Sequence, residues 1–280
     1  MKILHPTDFS EASMKALQVA EQLKGPLAAK LILLHVMEPP PSMPIYGDYW
    51  TQSLDEVVKK AQKEGIEAAR KHLATLDPDA EHHLETGRPL DVILKYAGRY
   101  QVDLIAMGTQ GVDSLLERFL GSVTERVIEY ADKPVLAVRA QSEVKPIRHI
   151  LVGTALAEPS LRALAFAKKI ADALGARITL LHSLEPIPEP PLPIHMPDPE
   201  KDKTRHAMVE ELAKELEKLA NDYGARPKLI EAKPVDAICK VVVEEDIDAV
   251  FIGKSRQHYF MGSVTREVLE RARVPVFVHP

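Results

Sequence analysis

Short apolar runs alternate with amphipathic stretches along both halves of the chain. In the first half the runs are Leu31-Ile32-Leu33-Leu34, Leu104-Ile105-Ala106-Met107 and Val135-Leu136-Ala137-Val138. Unbroken apolar runs of this length suit strands buried on both faces. Ahead of the first run, Ala16, Val19, Ala20 and Leu23 fall at i, i+3, i+4 and i+7, the stripe of an amphipathic helix. Ala163, Phe166, Ala167 and Ile170 repeat that spacing in the second half. Ser10 or Asp8 stands where a side chain caps the first helix. Each half therefore reads β-α-β-α-β-α-β-α-β. Strands alternating with helices predict an α/β fold, with a parallel sheet and helices on both faces.

The halves are copies of one another. Ile3-Leu4-His5-Pro6-Thr7-Asp8 returns as Ile150-Leu151-Val152-Gly153-Thr154-Ala155. Leu33-Leu34-His35-Val36 returns as Leu180-Leu181-His182-Ser183, and Arg88-Pro89-Leu90-Asp91 as Lys233-Pro234-Val235-Asp236. Gly121-Ser122-Val123-Thr124 returns unchanged as Gly262-Ser263-Val264-Thr265. The period is far longer than a solenoid unit, so the repeat is a whole domain. We expect domains over residues 1–139 and 148–280, with the aperiodic segment 140–147 as linker. A proline-rich connection follows the second strand of each copy, Pro39 to Pro44 and Pro186 to Pro199. Both read as stiff extended spacers, and Met43, Tyr46 and Trp50 give the first the makings of a lid.

Composition narrows the function classes. Of 280 residues, 45% are hydrophobic and 28% charged, which is ordinary globular usage, and the formal net charge is -5. That balance offers no basic face to nucleic acid. Cys239 is the single cysteine, so an intramolecular disulfide and a thiolate cluster are excluded. The opening residues Met1 to Asp8 form no apolar leader. No run approaches the ~18 apolar residues of a membrane span. A soluble cytoplasmic protein with no membrane or nucleic-acid partner is expected.

The chemistry concentrates after the run ending at Met107. Gly108-Thr109-Gln110-Gly111 is followed, nine residues on, by Gly121-Ser122-Val123-Thr124. This places a glycine-bearing loop between a strand and a helix marked by Val123, Val127 and Ile128. Glycine permits positive φ and close approach of an anion. A helix start presents unpaired N–H groups and a partial positive charge. Ser122 and Thr124 add hydroxyls. Together they form a backbone phosphate cradle. A loop that merely contains two glycines is the simpler account of either glycine alone, but not of the full spacing in this context.

At this point the chain resembles the universal stress proteins, whose ATP-binding members carry Gly-x2-Gly-x9-Gly-Ser/Thr, the pattern of residues 108 to 122. Asp8 matches the family's acidic residue beside the nucleotide, and Leu34-His35-Val36 the strand end whose backbone meets adenine. The resemblance covers both halves and implies a tandem member with two Rossmann-like, doubly wound domains. Each would have a five-stranded parallel sheet in the order 3-2-1-4-5. The motif then lies at the reversal of strand order, where α/β sheets bind ligands. Carried over, Pro6, Thr7, Asp8 and Val36 line the adenosine end, while Met107, Gly108, Gly111, Gly121, Ser122, Val123 and Thr124 hold ribose and phosphates. The implied ligand is ATP with Mg or Mn on its phosphates, and no protein side chains form a metal cluster. Family members also pair their last strands, here Val135 to Val138 and Val276 to Val278. That implies a pseudo-dimer within the chain and allows a homodimer beyond it.

The second copy departs from the pattern. Ala155 replaces Asp8 and Ser183 replaces Val36. Lys254-Ser255-Arg256 follows Gly253 without the second glycine, and the loop to Gly262 is four residues shorter. Gly253-Lys254-Ser255 is not a P-loop, because Asp248 stands where its first glycine belongs. Lys254 and Arg256 could favour an anion, with solvated charges the commoner account, and Glu244-Glu245-Asp246 reads as a solvated face. His82 and His83 face opposite ways on a strand. His5 and His35 end neighbouring strands and could meet, with satisfied core histidines the simpler account. Cys239 on an apolar stripe reads as inert. The sequence thus points to a non-enzymatic, nucleotide-dependent stress-response or regulatory module with no catalytic residues. The alternative is a slow ATPase or nucleotidyl transferase, for which Arg118 is the one candidate near a γ-phosphate. A scaffold with a vestigial pocket is the third reading.

Overall fold

A computed structural model describes residues 1–38, 52–109, 121–186, 199–254 and 261–280. The first copy runs β1 (Lys2–Pro6), α1 (Glu11–Lys24), β2 (Lys30–Met37), α2 (Gln52–Leu76), β3 (Glu81–Thr86), α3 (Pro89–Tyr100), β4 (Leu104–Gly108), α4 (Ser122–Tyr130) and β5 (Val135–Val138). The second repeats it as β6 (His149–Gly153), α5 (Glu158–Leu174), β7 (Arg177–Leu184), α6 (Pro199–Asp222), β8 (Arg226–Glu231), α7 (Pro234–Glu244), β9 (Ala249–Gly253), α8 (Ser263–Arg271) and β10 (Val276–His279). Local chemistry sets several ends. Ser10 is the cap of α1, its side chain accepting from Ser13 N–H, which decides between the two candidates. Proline opens α3 and α7, where its missing N–H costs nothing.

One ten-stranded sheet results, in the order β3-β2-β1-β4-β5-β10-β9-β6-β7-β8. Within each copy the strands are parallel and ordered 3-2-1-4-5. The copies join where β5 meets β10 antiparallel, with Val135 opposite Val278, Leu136 opposite Phe277 and Ala137 opposite Val276. Successive strand residues face opposite layers, and each layer is continuous across the join. One core packs α3, α4, α7 and α8 on the sheet, with Leu4, Met107, Val127, Ile238 and Val268 among its residues. The other packs α1, α2, α5 and α6, with Ile3, Leu33, Leu136, Phe251 and Phe277. The segment between β5 and β6 is tied to α1, since Gln22 Nε2 donates to Lys145 O at 3.1 Å and Gln22 Oε1 accepts from Ile147 N–H at 3.2 Å.

His5 and His35 do not meet. His5 is fully buried on β1, with Nδ1 2.8 Å from Ala106 O. His35 Nδ1 lies 2.7 Å from Thr7 O, and His182 repeats that bond to Thr154 O at 2.8 Å. His5 and His35 lie on one face of the sheet, since His5 is in register with Leu33 and His35 stands two residues further on, but the His5 ring turns to α1, where Nε2 lies 3.4 Å from Ser13 Oγ. Among the described residues no helix is long and apolar enough to cross a membrane.

Burial holds the His5 imidazole neutral, with its pKa down to about 4 from 6.5. The unfolded chain takes up this proton between those two values and the folded chain does not, so stability is lost as pH falls through that window. The full difference is worth roughly 3 kcal/mol. The second copy already carries Val152 at this position. His5→Val should flatten the acid limb of stability between pH 6.5 and 4, followed by urea unfolding midpoints at stepped pH. An acid limb as steep as in the parent chain would assign that sensitivity elsewhere.

Candidate functional site

The crevice lies at the carboxyl ends of β1 and β4, the strands between which the order of the first copy reverses. On the β1 side, Thr7 N–H donates to Leu34 O at 2.8 Å, fixing the chain as it leaves the sheet. The turn into α1 closes on itself. Thr7 Oγ1 accepts from Phe9 N–H and Asp8 Oδ1 from Ser10 N–H, each at 3.0 Å. Phe9 adopts φ 64°, a left-handed conformation disfavoured for an aromatic residue. Its ring is stacked between His35 and His72, with centroids 4.6 and 4.3 Å away. Those contacts offset the backbone cost and hold Asp8 at the rim, exposed. Pro6 and Thr7 are buried beside it, and Val36 packs half-buried on the core.

On the β4 side the residues divide into those that build the crevice and those that open into it. Met107 is 5% exposed and belongs to the core, so its side chain packs and its backbone faces the strand end. A Cβ on Gly108 would stand 2.5 Å from Ser13 N and 2.7 Å from Ala12 C. This glycine is therefore required by the close approach of α1. Gly253 meets Pro159 in the same way, at 2.3 Å. Gly121 has φ -61°, so it is not there for a left-handed turn either. The Thr124 hydroxyl donates to Gly108 O at 2.7 Å; it ties the first turn of α4 to the end of β4 and is not a hydroxyl waiting for phosphate. Ser122 is exposed. Among the described residues no side-chain hydrogen bond caps the start of α4 at Gly121, in contrast to Ser10 at α1. The first-turn N–H groups there have no partner within the helix.

The second copy shows what such a helix start faces. A Cβ on Gly262 would meet nothing within 4 Å. A cavity of about 370 Å³ lies there, lined by Thr154, Ala155, Ser183, Ile238 and Gly262 to Thr265. A larger cleft of about 710 Å³ lies at the opposite end of the sheet, around His149, Arg177 and Glu245. Its polar groups are engaged in building the fold. Glu245 Oε1 meets Lys228 Nζ at 2.5 Å and Oε2 meets Thr179 Oγ1 at 3.1 Å. Burial and then the Arg177 guanidinium lower the His149 pKa, and its Nδ1 lies 3.0 Å from Glu245 O at the end of α7.

Two charges expected to be solvated are not. Glu245 is 12% exposed, because the starts of β7 and β8 bring Thr179 and Lys228 to the end of α7. Lys254 is 8% exposed and reaches across the join to α4. The sequence signal was a single lysine immediately after a buried strand, at the position of Thr109. Burial also raises the Cys239 thiol pKa, keeping it protonated. Gly111, Arg118, Met43, Tyr46, Trp50 and Arg256 lie outside the described residues. Among the described residues no group of three His, Cys, Asp or Glu side chains converges to hold a metal ion.

The universal stress protein family model matches the chain twice, over residues 1–139 and 146–280. Universal stress protein MJ0577 of Methanocaldococcus jannaschii is 32% identical over 155 residues, covering 50% of this chain and 96% of the relative. A universal stress protein of Thermus aquaticus is 34% identical, covering 49% of this chain and 97% of its own length. A crystal structure of a universal stress protein from Archaeoglobus fulgidus superposes with a TM-score of 0.67 at 22% identity, covering 99% of this chain and 97% of that one. That last likeness concerns the fold alone.

The two kinds of glycine predict different outcomes. Gly108→Ala should destabilise the chain by roughly 1–3 kcal/mol through overpacking. Gly262→Ala should cost under about 1 kcal/mol, the difference between the two residues as helix caps. Urea midpoints of the two variants measure this. Equal midpoints would remove the close-approach account of Gly108.

Proposed function

Because the chain belongs to the universal stress protein family over both copies, we propose that the first copy binds ATP and that the protein is a nucleotide-dependent stress-response or regulatory module. The observation that carries this reading is the contrast between two crevices of one fold. The first has Asp8 at its rim and the uninterrupted Gly108, Gly111, Gly121-Ser122 spacing. The second has Ala155, Ser183 and a loop four residues shorter.

In this reading the phosphates rest on the N–H groups of Ser122, Val123 and Thr124 at the start of α4, which no side chain among the described residues caps and which favours negative charge. Gly121 lets them approach, and the Ser122 hydroxyl adds a donor. Thr124 acts through its bond to Gly108 O by holding the helix start against β4. Pro6, Thr7, Val36 and the Met107 backbone form the adenosine wall, and Asp8 supplies the acceptor at its edge. One Asp8 oxygen is already engaged by Ser10 N–H, which suits a fixed recognition group. An accompanying Mg or Mn would be held by phosphate oxygens and water, since the described residues form no ligand cluster; it would screen phosphate charge there.

Titration calorimetry on the full chain should give one ATP per chain. Gly121→Val should abolish that binding while the free protein still unfolds cooperatively, with only the modest loss of stability that a changed helix cap brings. Asp8→Ala, the residue the second copy carries, should weaken binding about tenfold to a hundredfold, the worth of one charged hydrogen bond. Two equivalent sites, or wild-type affinity in Gly121→Val, would overturn the assignment.

A further inference from the structure

We infer that Lys254 of the second copy is a positioning residue for the triphosphate of the first, an inference that rests on the nucleotide reading above. Lys254 follows β9 as Thr109 follows β4. The two have the same backbone bond to the last strand, Thr109 N–H to Val138 O at 2.9 Å and Lys254 N–H to His279 O at 2.7 Å. Their side chains diverge in use. The Thr109 hydroxyl is buried without a partner among the described residues. Lys254 Nζ crosses the join and donates to Ile128 O and Glu129 O, each at 2.7 Å.

Those carbonyls end α4, the helix whose start is the proposed phosphate cradle. The last turn of α4 carries no basic residue of its own. A helix end leaves carbonyls without partners and a partial negative charge, and here the second copy supplies the cation. Two further contacts run the same way. Met261 N–H donates to Glu129 Oε1 at 3.3 Å. Arg266 pairs with Glu125, in the first turn of α4, and so removes a negative charge close to where phosphates would lie. A helix of nine residues is too short to hold itself. Its order and aim come from what packs on it, and misplacing a helix start moves every N–H it presents. The lysine that replaces a threonine in the degenerate crevice thus serves the intact one.

The test uses the full chain with Lys254→Met, which keeps length and removes charge, and Lys254→Arg. ATP and adenosine are each titrated. Only ATP places phosphates on α4, so Lys254→Met should weaken ATP about fivefold to twentyfold, within the usual range of coupling between sites. Adenosine binding should stay unchanged, and Lys254→Arg should keep most of the ATP affinity. Amide exchange at Arg126 to Tyr130, whose N–H groups lie beyond the unpaired first turn of α4, should quicken in the free Lys254→Met chain. Equal weakening of both ligands, or of neither, would overturn the inference. A wild-type chain that binds no ATP would instead overturn the nucleotide reading, so the wild-type titration separates the two failures. If Lys254→Met does not fold, Glu129→Ala takes its place. It removes the Met261 contact, and the same selective loss of ATP is expected; unchanged ATP affinity in that variant would overturn the inference.

Discussion

The antiparallel ladder between β5 and β10 is the constraint on which the two-copy structure depends. A doubly wound sheet that ends in an apolar strand leaves a row of unpaired N–H and C=O groups, which invites another strand. Here each copy closes the other's edge. Leu136 and Phe277 face one another across the join and are 0% and 1% exposed. Phe277 stacks on Phe251 with centroids 4.2 Å apart. Burying side chains of this size is worth about 1.5–3 kcal/mol each, so the join belongs to the core. Its antiparallel sense also has a geometric consequence. The second copy is inverted, so the carboxyl end of β9 lies at the same end of the sheet as the start of β5, with only β10 between them, and α4 ends there. That inversion is why Lys254 finds the carbonyls of Ile128 and Glu129, and why a residue of one crevice bears on the helix of the other.

Duplication supplies an internal comparison. What both copies keep is what the fold needs. Gly108 and Gly253 admit the starts of α1 and α5, His35 and His182 tie the second strand to the first, and Ser13 with Thr7 at 2.9 Å is matched by Ser160 with Thr154 at 3.0 Å. What differs is concentrated at the crevices and beneath them. Asp8 becomes Ala155, Val36 becomes Ser183, His5 becomes Val152 and Thr109 becomes Lys254. On the proposed reading the first two changes remove adenosine contacts, and the last sends a cation to the neighbouring copy.

The fold was legible because buried parallel strands write themselves as apolar runs and the repeat doubled every signal. Strand order and the closing of β5 on β10 followed from the family resemblance, since periodicity alone does not order strands. The proposed site rests on Asp8 and the glycine spacing, both of which the sequence displays. The division of labour inside it was not legible. Gly108 looks like an anion-approach glycine, yet its need comes from Ala12 and Ser13, a contact between residues far apart in sequence. Thr124 looks like a phosphate donor, yet its hydroxyl is taken by Gly108 O. Lys254 and Glu245 look solvated because a charge in sequence carries no mark of the distant partner that buries it.

A crystal structure of the full chain grown with ATP tests the central claim most directly. One nucleotide per chain is expected, its phosphates on the N–H groups of Ser122 to Thr124 and its adenosine toward Asp8 and Val36, with none between β6 and β9. A nucleotide in the crevice between β6 and β9, or equal occupancy of both crevices, would contradict the claim.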